Sequence, residues 1–166
     1  MKTNKIFNIL LFASVVVSFN VSVAQDNVGA APELQPDPTH APEEVVRIQT
    51  EALGKNDEPY ENAGIEITFR FASPQNKLST GPLPRFVGIV RSPAYEKMIN
   101  HSGVEFGPAH IEEDVAQVPV LITAADGEKA GFVFRLSRQS DAPYEQCWMT
   151  DGVVPIAIKN SGGIEL

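Results

Sequence analysis

The sequence predicts an α+β fold, with helices in the N-terminal half and four antiparallel strands after them. Three observations predict it. The stretch "PEEVVRIQTEALGKND" carries apolar side chains at helical spacing. The stretch "VAQVPVLITAADGEKAGFVFRLS" alternates apolar and polar residues on both sides of an Asp-Gly turn signal. Between the two, Pro82, Pro84 and Pro93 cut the chain into pieces too short for a long helix.

The chain opens with Lys2 and Lys5 ahead of an apolar run over residues 6–19, and Ser22-Val23-Ala24 sets small residues before a cut. That is the pattern of a secretory signal peptide, residues 1–24, cleaved after Ala24, and it predicts an exported protein, periplasmic or secreted. The run is shorter than the roughly 20 apolar residues a membrane span needs, and Asn8, Ser14 and Asn20 dilute it. No later segment is expected to span a bilayer, and no cysteine follows the cut to carry a lipid. Residues 25–41 set Pro32, Pro36 and Pro38 among acids, Gln and small residues, the composition of a disordered spacer. A single domain is then expected over 42–158, with a flexible tail at 159–166.

The first helix begins at Pro42, which suits the first turn because its missing N–H is one of the unpaired ones there. Glu43 and Glu44 complement the positive end of the helix dipole. Val45, Ile48, Gln49, Ala52 and Leu53 share a face, and Gly54 and Asn56 end the helix. In "GIEITFRFASP", Ile65, Ile67, Phe69 and Phe71 alternate with Glu66, Thr68 and Arg70, so periodicity alone reads strand. Residues 85–91 and 94–100 read as brief helices, the second opened by Ser92-Pro93.

The hairpin around Asp126-Gly127 has an arguable register. A two-residue loop would aim the missing N–H of Pro119 at the partner strand. A three-residue loop, a type I turn followed by a glycine bulge, pairs Ala124 with Glu128 and turns Pro119 away. It also puts Val118, Val120, Ile122, Phe132, Phe134 and Leu136 on one face, leaving Gln117, Thr123, Arg135 and Ser137 on the other with Leu121 and Val133. "GVEFGPAHI" before the hairpin and "QCWMTDGVVPI" after it complete the four strands.

The strings "PEEVVRIQTEALGKND", "FRFASP", "TGPLPRFVGIVRSPAY" and "CWMTDGV" resemble a family catalogued as a domain of unknown function, number 4864, over about 42–154. The resemblance implies a cone-shaped, nuclear-transport-factor-like or cystatin-like architecture, with N-terminal helices packed on a curved antiparallel sheet. It also implies a helix, not a strand, over 65–71. It brings no catalytic motif, and a fold of this kind hosts enzymes and binding cups alike.

The formal charge is −8, and removing Lys2 and Lys5 with the leader makes it −10. Such an acidic chain lacks the clustered Lys and Arg that nucleic acid or an anionic membrane surface requires. With one cysteine, Cys147, no intrachain disulfide forms, and stability must come from packing.

Cys147 and His101 are the catalytic candidates, both weak. A nucleophilic thiol needs a lowered pKa and a nearby base, and Cys147 sits on an expected strand between Gln146 and Trp148 with neither in sight. Filler is the favoured reading, with His101 the base to watch because the first strand follows it. Trp148 reads as a core or pocket-wall residue. His40, His101 and His110 have no ligand spacing, so no metal or other cofactor is expected. Glu112, Glu113 and Asp114 read as a solvated turn. Asn100-His101-Ser102 is a glycosylation sequon, meaningful only in a host that glycosylates exported proteins.

Arg70, Arg91 and Tyr95 are set among Phe69, Phe71, Phe86 and Ile89 on segments that the resemblance places on the helix side of a cone. With Trp148 they are the ligand-binding candidates, expected to hold a small polar or anionic ligand between helices and sheet unless the arginines merely pair with surface acids. The function expected first is an exported, non-catalytic binding or accessory module. The alternatives are an enzyme acting on a small apolar substrate by acid–base chemistry with His101 or His110 as base, and a structural partner of an envelope protein.

Overall fold

The computed structural model describes residues 34–158, all within the second of two compact units, residues 33–166. The expected signal peptide, the start of the spacer and the tail at 159–166 lie outside the described residues. The chain runs α1 (Pro42–Gly54), α2 (Ala63–Arg70), α3 (Pro74–Thr80), α4 (Leu83–Val90), a 3-10 turn at Glu96–Met98, then β1 (Gly103–Phe106), β2 (His110–Glu112), β3 (Val115–Thr123), β4 (Lys129–Arg138) and β5 (Trp148–Ile156). Among the described residues no helix is long and apolar enough to cross a membrane.

Helix α1 starts on Pro42 and buries Val45, Val46, Ile48, Gln49 and Leu53, as its spacing requires. The segment 34–41, expected in the spacer, is laid against the domain at two points. The Leu34 carbonyl accepts from Arg70 Nη1 at 3.0 Å, and the His40 ring lies 6.4 Å from that of Phe71.

The alternation over 65–71 is helical, as the resemblance implied. Gly64, Ile65 and Thr68 face the core and Phe71 follows on the same side, a stripe at helical spacing. Ile67 and Phe69 are half-buried on another side, where Phe69 meets Phe86 of α4 at 5.1 Å between ring centroids. Apolar residues at every second position therefore mark a helix packed on more than one side. Gly64 makes this close packing possible: a Cβ there would lie 2.1 Å from the Ala52 carbonyl oxygen of α1.

Helix α3 was not expected. Its signal is Ser73-Pro74, with Ser73 Oγ accepting from the Asn76 N–H at 3.2 Å and Gly81 ending the helix at φ 81°. Helix α4 begins two residues before the expected Arg85, and the expected helix at 94–100 shrinks to the 3-10 turn.

The sheet is antiparallel, in the order β1-β3-β4-β5, with β2 also on β3. It has five strands rather than four because the expected first strand breaks at residues 107–109, and β1 and β2 share one edge of β3. The break falls opposite Pro119, which has no N–H to offer this edge, while Gly107 still donates to the Pro119 carbonyl at 2.9 Å.

The hairpin register is the expected one. Thr123 pairs with Lys129, Ala124 N–H donates to Glu128 at 2.8 Å, and Gly127 takes φ 85°. Val118, Val120, Ile122, Phe132, Phe134 and Leu136 are buried in one cluster with Val45, Val46, Leu53, Ile65, Phe71 and Phe86 from the helices. Leu121 and Val133 on the other face are also buried. Strand β5 carries a bulge: Leu136 pairs with Thr150 but Arg135 with Gly152, leaving Asp151 as the inserted residue. Its edge is tied to the helical layer by Thr150, whose N–H donates to Phe71 and whose carbonyl accepts from Ser73 N–H.

Candidate functional site

Between the helical layer and the end of the sheet lies a cavity of about 280 Å³. Every helix contributes to its wall: Gln49 and Leu53 from α1, Thr68 from α2, Asn76 and Thr80 from α3, Phe86 and Val90 from α4. Tyr95 and Met98 close one side, and Phe134 with residues 150–153 forms the sheet side. Ser79 and Asp151 line it too and are exposed, so they sit at its mouth.

Two polar clamps fix the walls. Thr150 Oγ1 donates to Gln49 Oε1 at 2.7 Å, while Gln49 Nε2 donates to the Thr68 carbonyl at 3.1 Å, joining α1, α2 and β5. Asn76 Nδ2 donates to the Thr150 carbonyl at 3.0 Å, joining α3 to the same strand position. Buried polar groups are retained only when paired in this way. Tyr95 stacks on Phe132 and donates its hydroxyl to the Val153 carbonyl at 3.1 Å, covering the strand edge beside the cavity.

The family model described as "Domain of unknown function (DUF4864)" matches residues 38–160, which include every residue of the cavity wall. The chain belongs to this family. Comparison with curated proteins and with solved structures gives no match.

Of the four ligand candidates, the DUF4864 domain brings only Tyr95 to the cavity. Arg70 pairs with Glu66 one helical turn away at 3.4 Å and donates to Leu34. Arg91 donates through Nε to Asn62 at 2.8 Å and sits by Asp57 and Glu61 at 3.5 and 3.8 Å. Both arginines thus make ion pairs with nearby acids, the plainer of the two expectations. Trp148 is core, with the Arg138 guanidinium 4.9 Å above its ring.

Cys147 precedes β5 instead of lying in it, in a turn where its N–H donates to Tyr144 and its carbonyl accepts from Gln139. It is 3% exposed. Burial pushes its thiol above the ordinary 9.0, and the charge of Asp37 adds to the shift, the opposite of what a nucleophile needs. His101 lies before β1, on the far edge of the sheet and at its other end, so the two are at diagonal corners. His101 Nε2 bonds the Thr50 carbonyl at 2.9 Å, and its Nδ1 is buried without a partner. His110 is paired with Glu112 at 3.1 Å on the exposed strand β2, and the turn expected there follows at Glu113, which takes φ 51°, and Asp114. Among the described residues no three His, Cys, Asp or Glu gather as a metal site.

The cavity residues Gln49, Thr68, Asn76 and Thr150 were not picked out as a site from the sequence. The one available signal was polar residues at buried positions of apolar faces, as Gln49 is in α1.

Proposed function

We propose that this domain is an exported, non-catalytic binding module whose cavity takes a small, largely apolar ligand. The observation that carries the reading is the cavity itself, walled by all four helices and the end of the sheet and mostly apolar, with its polar groups held by clamps. Ligand sites have this character. An engineered apolar cavity of about 150 Å³ takes benzene, so a volume of about 280 Å³ admits a larger guest. The bases that the enzyme alternative needs, His101 and His110, line other surfaces. Export rests on the leader pattern of residues 1–24, and the cone-like cup of the resemblance is the architecture that such a cavity would suit.

The test is calorimetric titration of the mature protein with octan-1-ol, a neutral amphiphile. Saturable binding is expected, and Ile89→Trp, which puts bulk where α4 lines the cavity, is expected to abolish it while the melting temperature holds. No binding by the folded wild type, or equal binding by the variant, would count against the cavity as the site.

A further inference from the structure

The ligand's polar end can be read from the hydrogens of the cavity wall. Five hydroxyls line it, and each spends its proton on a protein acceptor. Thr68 donates to the Gly64 carbonyl, Ser79 to Gln75, Thr80 to Asn76, Tyr95 to Val153 and Thr150 to Gln49 Oε1. A carbonyl cannot donate, so the direction of the first four is fixed, and what these oxygens leave over is lone pairs. The two lining amides, Gln49 and Asn76, are 1% and 9% exposed and each spends an N–H on a carbonyl.

Among the described residues one lining side chain is charged: Asp151. It is the residue the β5 bulge inserts, and bulges re-aim side chains next to binding sites. Among the described residues it has no hydrogen-bond or ion-pair partner, while Arg70 and Arg91 are engaged with other acids. Ser79, Thr80 and Asp151 therefore surround the mouth with acceptors while the interior is apolar.

We propose that the ligand is an amphiphilic amine, its apolar body in the cavity and its ammonium group at the mouth on the Asp151 carboxylate. This rests on the binding-module reading and adds the chemistry of the head group. An ammonium carries three donors and no acceptor, which complements a rim of lone pairs and one negative charge. A carboxylate or phosphate head would bring more acceptors, and among the described residues the wall has no Lys, Arg or His to meet them.

The experiment titrates three probes of equal chain length, octylammonium, octan-1-ol and octanoate, into wild type and Asp151→Asn. Octylammonium is expected to bind the wild type about tenfold tighter than octan-1-ol, as a charge-assisted bond allows. That preference should vanish in Asp151→Asn because octylammonium affinity falls to that of octan-1-ol, and octanoate should bind the wild type weakest. Equal affinity for the amine and the alcohol, or a preference that survives in Asp151→Asn, overturns the head-group assignment and leaves the cavity reading intact. Tighter binding of octanoate also overturns it. Binding of none of the three overturns both.

Discussion

Gln49 of α1 and Thr150 of β5, 101 positions apart, share a fully buried hydrogen bond of 2.7 Å that fastens the first helix to the last strand. Both residues are almost completely buried, so the loss of one leaves a polar atom of the other without its protein partner.

Thr150→Val is therefore expected to destabilise the domain by about 1–3 kcal/mol, because Gln49 Oε1 is left buried without a donor. Thr150→Ser keeps the hydroxyl and loses one methyl, about 0.8 kcal/mol. Urea denaturation of the two variants beside wild type checks this; a valine variant as stable as wild type would mean that the bond contributes nothing.

Gly64→Ala places a methyl group 2.1 Å from the Ala52 carbonyl oxygen, and the obstacle is backbone, which cannot swing aside. A loss of about 3 kcal/mol or more is expected, the upper end for overpacking. Gly88→Ala in α4, where a Cβ meets nothing within 4 Å, serves as the control and should not lose stability. Similar denaturation midpoints for the two would contradict the close helix contact.

The thiol of Cys147 is expected to react slowly with a thiol reagent in the native protein and rapidly once unfolded. Its folded pKa lies above the ordinary 9.0, so as pH rises the unfolded chain ionises first. The contribution is complete below the unfolded value and is lost as pH rises through the folded one, making stability fall as pH rises above about 9. Cys147→Ala should flatten this limb. Fast native labelling at neutral pH would overturn the filler reading.

Asp57 acts at the other end of the scale. The Asn62 backbone N–H, then the Asn100 side-chain amide, hold its carboxyl below the ordinary 3.8, and the Arg91 charge adds to this. A depressed carboxylate stabilises the fold above its unfolded value and loses that effect as pH falls through the folded one. Asp57→Asn should thus lose less stability than wild type between about pH 5 and 2, read from urea midpoints at each pH; parallel acid limbs would refute the role.

How much of this was legible in the sequence depended on how local the cause was. The hairpin register followed from Pro119, whose missing N–H excludes one pairing, and from alternation that the core reads directly. The α+β class and helix α1 rested on similar local patterns. Periodicity misread residues 65–71 because Ile65 and Phe71 face the core while Phe69 packs on Phe86, so the apolar half of the alternation is covered from two sides of a helix. Helix α3 is announced by Ser73-Pro74, the same pair as Ser92-Pro93, but its seven residues bury only Asn76 and carry no apolar stripe. The cavity could not be seen at all: Gln49, Thr68, Asn76 and Thr150 are short polar residues scattered over a hundred positions, and only the fold makes them one wall. Arg70 and Arg91 drew attention as polar groups among aromatics, but Asp57, Glu61 and Glu66 nearby already supplied their partners.

Because the cavity wall draws on residues from Gln49 to Val153, it exists only after the most sequence-distant segments have met. Contacts of that span slow folding, since the chain entropy of bringing them together must be met first. Where the wall is incomplete in the folding transition state, a guest that needs all of it has nothing to hold there. Its stabilisation therefore falls on the unfolding step alone: an occupied domain refolds no faster than an empty one, but it outlives it.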